Sequence, residues 1–275
     1  VMQMRVVPWF TDGAVCFLNN LFKWYHDFIG SKVKVLEFGG GNSTLYFLSK
    51  NCRVLTVESD EKFVNNLYDL VISNGKTVKI IDGVDGLGEF ISNTDLLILK
   101  ASDVSDVDDK VFDLKWDIIV NDGVSRKEVV SLIENKFSES VIILDNIEYC
   151  ANWGRLARSS AKVETVEVYR RFIRSNNYQK YLFEQPEGRE GYAQSDCSGW
   201  ESPNRWITGI FWSNSHIFSR MMLTHQGSPV VNIQGVNDDD LLSLEERCPY
   251  DWNNKKWILD EYPKSLDLKL DRRYV

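Results

Sequence analysis

The sequence predicts an α/β protein built on one doubly wound, mainly parallel sheet with helices on both faces. Three observations lead there. Short β-type runs alternate with helical patterns through the first half of the chain, the order that crossover-connected parallel strands require. Several of those runs, such as IIV within WDIIVN and all of VIIL, are continuously apolar, as strands buried on both faces must be. The unusual polar residues and glycines fall at the carboxyl ends of the runs, where such sheets bind ligands.

The elements follow in order. Gly13–Ile29 carries Val15, Leu18, Leu21, Phe22 and Tyr25 at helical spacing and reads as an amphipathic helix. Lys32–Phe38 is a strand and Ser43–Ser49 the helix after it. Arg53–Val57 is the second strand, and Asp60 can cap a helix running to about Ser73. Thr77–Ile81, Trp116–Asn121 and Val141–Leu144 are three further strands, with a helix at Ser125–Lys136 before the last. From Ala151 to Asn204 the pattern loosens. Tyr178–Phe183 and Arg205–Trp212 read as two late strands. The expected organisation is a main domain over 1–212, with a lid insertion at about 151–204. The extension, 213–275, lacks a core pattern of its own and is expected to pack on the same domain.

Composition narrows the function classes. The 275 residues are 43% hydrophobic and 26% charged, an ordinary globular balance that excludes wholesale disorder. The formal net charge of −8 argues against a general polyanion binder, so nucleic acid is not an expected partner. No apolar run is long enough for a membrane helix, and Val1–Phe10 lacks the pattern of a secretory leader. The five cysteines (Cys16, Cys52, Cys150, Cys197 and Cys248) are odd in number and form no CxxC pair. Neither a disulfide framework nor a zinc site is expected, and reduced thiols point to the cytoplasm.

The strongest signal is VLEFGGGNST, Val35–Thr44. A strand ends in Glu37, then Gly39, Gly40 and Gly41 turn the chain, and Asn42, Ser43 and Thr44 open a helix. Glycines permit a sharp turn and close approach of a ligand, and the helix start leaves N–H groups pointing at it. The next strand ends at Glu58, 17 positions after Gly41, where a carboxylate can accept both hydroxyls of a ribose. That placement fits dinucleotide and nucleoside sites equally. Glu37 separates them, because a carboxylate beside the loop repels a pyrophosphate and suits a cationic sulfonium amino acid.

In these features the sequence resembles the class I S-adenosylmethionine (SAM)-dependent methyltransferases, in a bacterial-type branch acting on sugars and other small molecules. The likeness lies in Val35–Leu45, Val54–Asp60, Trp116–Arg126, Val141–Asn146 and Trp206–Phe211, in that order, and covers about residues 9–212. It implies a Rossmann-like sheet of seven strands with the last, Arg205–Trp212, antiparallel. It also implies SAM as cofactor, with Glu37, Gly39, Gly41, Ser43, Thr44, Glu58 and Asp122 as its binding residues.

A second constellation joins Asp122, which follows the fourth strand, to Asp145 and Asn146 after the fifth. Strands that neighbour one another lie about 4.8 Å apart, so these oxygens can converge on magnesium, calcium or manganese. Catechol-type O-methyltransferases hold a divalent ion with a similar trio, although Gly123–Lys127 departs from their pattern. The alternatives are a local cap at Asp145 and a metal-free role for Asp122 as general base, with Arg126 beside it as a catalytic candidate that pairs either with an acidic acceptor or with Asp122. His26, His216 and His225 are the rival bases. Between Arg155 and Lys180 stand seven basic residues against Glu164 and Glu167, which suits an anionic acceptor such as a sugar nucleotide. Tyr192, Trp200 and Trp206 can stack on a sugar or base.

The expected activity is therefore methyl transfer from SAM to a hydroxyl of a saccharide or other small polar acceptor. The extension is a candidate oligomer contact. Two rivals stand against this reading: a nicotinamide-dependent oxidoreductase, opposed by Glu37 and by Thr44 where a third glycine belongs, and a non-catalytic Rossmann-like binding protein.

Overall fold

The computed structural model describes residues 8, 10–28, 30–83, 85, 87–88, 93–123, 125–145, 147, 168–169, 171–185, 206–217, 250–251 and 256–257. Most of the expected lid and extension, and with them Asn146, Arg170, Tyr192, Trp200 and His225, lie outside these residues.

Helix α1 (Asp12–Phe28) buries Leu18, Leu21, Phe22 and Tyr25, the stripe its spacing predicts. The chain then alternates through β1 (Lys34–Phe38), α2 (Asn42–Ser49), β2 (Arg53–Glu58), α3 (Glu61–Ser73), β3 (Val78–Ile81) and β4 (Leu96–Lys100). Asp60 caps α3 as expected, its Oδ1 accepting from the N–H groups of Lys62 and Phe63. A short 3₁₀ turn and α4 (Asp109–Phe112) lead to β5 (Ile118–Asn121), α5 (Arg126–Lys136) and β6 (Val141–Leu144). Then come β7 (Tyr178–Gln185) and β8 (Trp206–Ser213).

The eight strands form one sheet in the order β3-β4-β2-β1-β5-β6-β8-β7. All pairs from β3 to β6 are parallel, and β8 runs antiparallel to both β6 and β7. The α/β class and the reversed late strand are as the sequence predicts. The sheet has one strand more than expected, because β4 inserts between β2 and β3. Its sequence, LLILK, is leucine-rich with a single β-branched residue, so it lacks the propensity signal that marks its neighbours. A separate pair, β9 (Tyr250–Asp251) and β10 (Lys256–Trp257), lies in the extension.

Side chains alternate across the sheet. Val35, Val54, Ile118 and Ile143 join the core under α1, α2 and α3. Leu36, Leu55, Ile119 and Ile142 join the other, with Val129, Val130 and Ile133 of α5 and with Tyr169, Phe172 and Ile173. Chain order reverses between β1 and β5, so the crevice at their carboxyl ends is the switch point where ligands bind.

Candidate functional site

The loops after β1 and β5 touch through their backbones. A Cβ placed on Gly39 would stand 2.5 Å from Gly123 Cα, and one on Gly123 would stand 2.7 Å from Gly39 N. Gly39 also has a φ of +96°, in the region that favours glycine. Its N–H donates to the Val57 carbonyl (3.0 Å), and the Asp122 N–H donates to the Phe38 carbonyl (3.0 Å). Three strand ends are thus pinned around one loop. At Gly41, by contrast, a Cβ would meet none of the described residues within 4 Å, so among them the space beside the start of α2 is open.

Glu37 is fully buried beneath that first turn. Its Oε2 accepts from the Thr44 hydroxyl, and Thr44 Oγ1 in turn accepts from the Gly41 N–H (3.0 Å). Oε1 has no hydrogen-bond partner among the described residues. Burial pushes the Glu37 carboxyl up to about 8, against the pull of the Ser43, Thr44 and Thr56 hydroxyls, with Asp122 adding to the rise. Desolvation wins, since among the described residues the only charge acting on the group is the like-signed Asp122.

Glu58 closes the loop from the β2 side. Its Oε2 accepts from the Gly40 N–H (2.9 Å), and its Oε1 from the N–H groups of Ser59 (2.7 Å) and Asp60 (2.8 Å). A carboxylate has about four acceptor positions. Three are filled by backbone, leaving one lone pair for an incoming hydroxyl, fewer than the sequence reading supposes.

At the ends of β5 and β6, one side chain organises the rest. Arg126 donates through Nη2 to Asp122 Oδ1 (3.2 Å), through Nε to the Gly123 carbonyl (2.9 Å) and through Nη1 to the Asp145 carbonyl (2.7 Å). The pair is largely buried, at 18% and 16% side-chain exposure. Burial raises the Asp122 carboxyl above the usual carboxylate range, and Arg126 opposes the rise. Asn121 Nδ2 donates to the Arg126 carbonyl (3.0 Å) and to the Tyr169 hydroxyl (3.2 Å), which fixes the first turn of α5. Ser125 opens that helix at a φ of +56° and donates to Asp103 Oδ2 (3.0 Å).

Asp145 is buried and accepts at Oδ1 from the Thr208 hydroxyl (2.6 Å). Thr208 Oγ1 accepts from the Thr11 N–H (3.0 Å), tying β6, β8 and the entry to α1 together. Asn146 of the expected metal set lies outside the described residues, and the two aspartates as arranged fit a divalent ion poorly. An ion bound by Asp122 would share that carboxylate with a guanidinium of like sign, and Asp145 Oδ1 already serves Thr208. Among the described residues, no three His, Cys, Asp or Glu side chains converge as a metal site.

The chain is similar in structure to solved O-methyltransferases. TomG of Streptomyces achromogenes, involved in tomaymycin synthesis and solved with SAM, aligns at a TM-score of 0.44 and 14% identity, over 74% of this chain and 81% of that one. An O-methyltransferase from Bacillus cereus, solved with S-adenosylhomocysteine (SAH), aligns at 0.40 and 17% identity, over 73% and 81%. No protein-family model matches the sequence, and no curated protein matches it. Likenesses of this size decide nothing about chemistry, which rests on the site's own residues.

Neither described histidine, His26 nor His216, joins the site. β8 is reversed, with Phe211 paired to Ile142 and Gly209 to Leu144, so its carboxyl end lies at the amino ends of the parallel strands. His216 follows it there, beside Glu139 and Lys115, with burial lowering its pKa. His26 is exposed next to Asp27. Of the basic cluster, Arg171 pairs with Glu134 of α5 (2.7 Å). Sequence reasoning missed Gly123 and Thr208. Both fall in the blocks that carry the family resemblance, Trp116–Arg126 and Trp206–Phe211, but neither was given a role there.

Proposed function

We propose that the chain is a SAM-dependent methyltransferase that methylates a hydroxyl of a small polar acceptor, a saccharide or an anionic sugar derivative. One observation carries the reading. Glu37, a buried carboxyl whose Oε1 has no hydrogen-bond partner among the described residues, lies against a helix start where those residues leave space beside Gly41. A helix N-terminus favours an anion and a buried carboxylate favours a cation. The two side by side suit the carboxylate and ammonium of one amino acid, and Glu37 disfavours the pyrophosphate of a dinucleotide.

When bound, SAM supplies a methyl group already activated by its sulfonium. Glu37 holds the ammonium, and the first-turn amides of α2, with Ser43 and Thr44, hold the carboxylate. Gly39 and Gly41 leave room for the chain of the amino acid, and Glu58 gives its remaining lone pair to a ribose hydroxyl. Asp122, with its raised affinity for a proton, takes the proton of the acceptor hydroxyl as general base, a role worth roughly 10²–10⁴-fold. Asp145 and Thr208 hold the wall of the acceptor side. The basic segment between residues 155 and 180 is the proposed contact for an anionic acceptor. Most of the remaining acceleration comes from aligning acceptor and methyl donor.

The test is transfer itself. The chain, incubated with SAM and a panel of saccharides and sugar nucleotides, should yield SAH and an acceptor heavier by one methyl group. Turnover of a nicotinamide cofactor in place of SAM would refute the reading.

A further inference from the structure

Among the described contacts, Arg126 meets three acceptors that belong to two different strand ends. One is the Asp122 carboxylate, one the Gly123 carbonyl after β5, and one the Asp145 carbonyl after β6. The planar guanidinium is suited to such a task, since it fixes several donors in one rigid fork and keeps its charge when partly buried. Nothing local requires this. Asp122 and Arg126 stand four residues apart, but an ordinary surface pair at that spacing is exposed and worth only a few tenths of a kcal/mol. Here the backbone of α5 is itself held in place: Asn121 Nδ2 binds the Arg126 carbonyl, and Ser125 is anchored on Asp103. The fork is built into the site.

A divalent ion bridging these strand ends would need the same oxygens: the Asp122 carboxylate and acceptors around Asp145. The charge that would do that bridging is already present on a side chain. We propose that Arg126 is the resident cation of this site, joining the ends of β5 and β6 and orienting Asp122, so that the protein works without a metal ion. Arg126 is then a positioning residue acting through Asp122. Its guanidinium fixes which oxygen of Asp122 is turned away from the acceptor and which is free to meet it. The Asp145 side chain, engaged by Thr208, serves as a tether to β8. The kinetic part of this inference rests on the methyltransferase reading; the metal-binding part does not.

The experiment uses the full chain and Mn²⁺ alone, with the free ion followed by electron paramagnetic resonance. The wild-type chain should leave the free signal undiminished, or diminish it equally in Asp122→Asn and Asp145→Asn, which marks uptake elsewhere. Arg126→Gln, if folded by circular dichroism, should gain Mn²⁺ uptake that a second change, Asp122→Asn, removes. Should Arg126→Gln not fold, the wild-type arm decides alone. Arg126→Lys keeps the charge without the fork. With a working acceptor it should lower kcat while leaving KM for SAM unchanged, and a chelator should not alter wild-type kcat. Mn²⁺ uptake by the wild type that is lost in Asp122→Asn or Asp145→Asn overturns the proposal. So does a folded Arg126→Gln chain as indifferent to Mn²⁺ as wild type. Absence of SAM binding would sink the enzyme reading while the Mn²⁺ arm still reported on Arg126.

Discussion

Replacing Glu37 by Gln should stabilise the ligand-free protein at high pH and abolish its response to SAM. The carboxyl moves from an ordinary 4.5 to about 8 on folding. Each tenfold change in proton affinity is about 1.4 kcal/mol, so the ionised form is disfavoured in the fold by on the order of 5 kcal/mol. The sign follows from linkage. Below pH 4.5 both folded and unfolded chains hold the proton, and the group's contribution is fully present. As pH rises toward 8 the unfolded chain ionises first, and stability is lost until the folded carboxyl ionises too. Gln carries no such charge. Its carbonyl can still accept from Thr44, while its amide faces the hydroxyls around it. The assay is thermal unfolding of both proteins at pH 5 and pH 8.5. At pH 5 the two should melt close together. At pH 8.5 the variant should melt higher. If only a third of the full amount survives local relaxation, that is about 3–6 °C for a domain of this size. Adding SAM at pH 8.5 should raise the wild-type melt, since a cationic ligand compensates the buried charge, and should leave the variant unmoved. Equal differences between the two proteins at both pH values would refute the reasoning, because Glu37 would then not be holding a proton.

Gly123→Ala puts a Cβ about 2.7 Å from the Gly39 backbone nitrogen; it should lower stability by roughly 1–3 kcal/mol and weaken SAM binding, read by urea unfolding and calorimetry. Thr208→Val removes the hydroxyl that Asp145 accepts from and that the Thr11 N–H donates to; unfolding should show a loss of about 1–3 kcal/mol, and an unchanged midpoint would dissolve the tether. Glu58→Ala should weaken SAM binding by roughly 1.5–3 kcal/mol, since it removes both a ribose partner and the acceptor of the Gly40 N–H. Asp122→Asn should lower kcat by roughly 10²–10⁴-fold with SAM affinity retained, and full activity would move the base elsewhere.

The parallel core of the sheet was legible because its strands are apolar on both faces and end in residues that no buried strand would choose, Glu37 and Glu58 among them. The leucines of β4 concealed it. The Gly loop and Glu37 were legible from type and spacing alone. The partnership of Asp122 with Arg126 was readable only as one alternative among others, beside an acidic acceptor and a plain helix-start arginine, because the turn between the end of β5 and the start of α5 decides it. The engagement of Asp145 was not, because Thr208 lies 63 positions away and nothing local announces it. His216 misleads for the opposite reason: it follows the last strand in the sequence, and the reversal of that strand carries it to the far end of the sheet.

Isothermal calorimetry of the wild-type chain with SAM, SAH and NAD tests the central claim most directly. The predicted result is saturable binding of SAM and SAH at one site, with no heat from NAD. For SAM below pH 8 it should come with release of a proton, seen as a dependence on the buffer's ionisation enthalpy, as Glu37 ionises against the ammonium. A folded chain that binds NAD, or that ignores both SAM and SAH, would contradict the account.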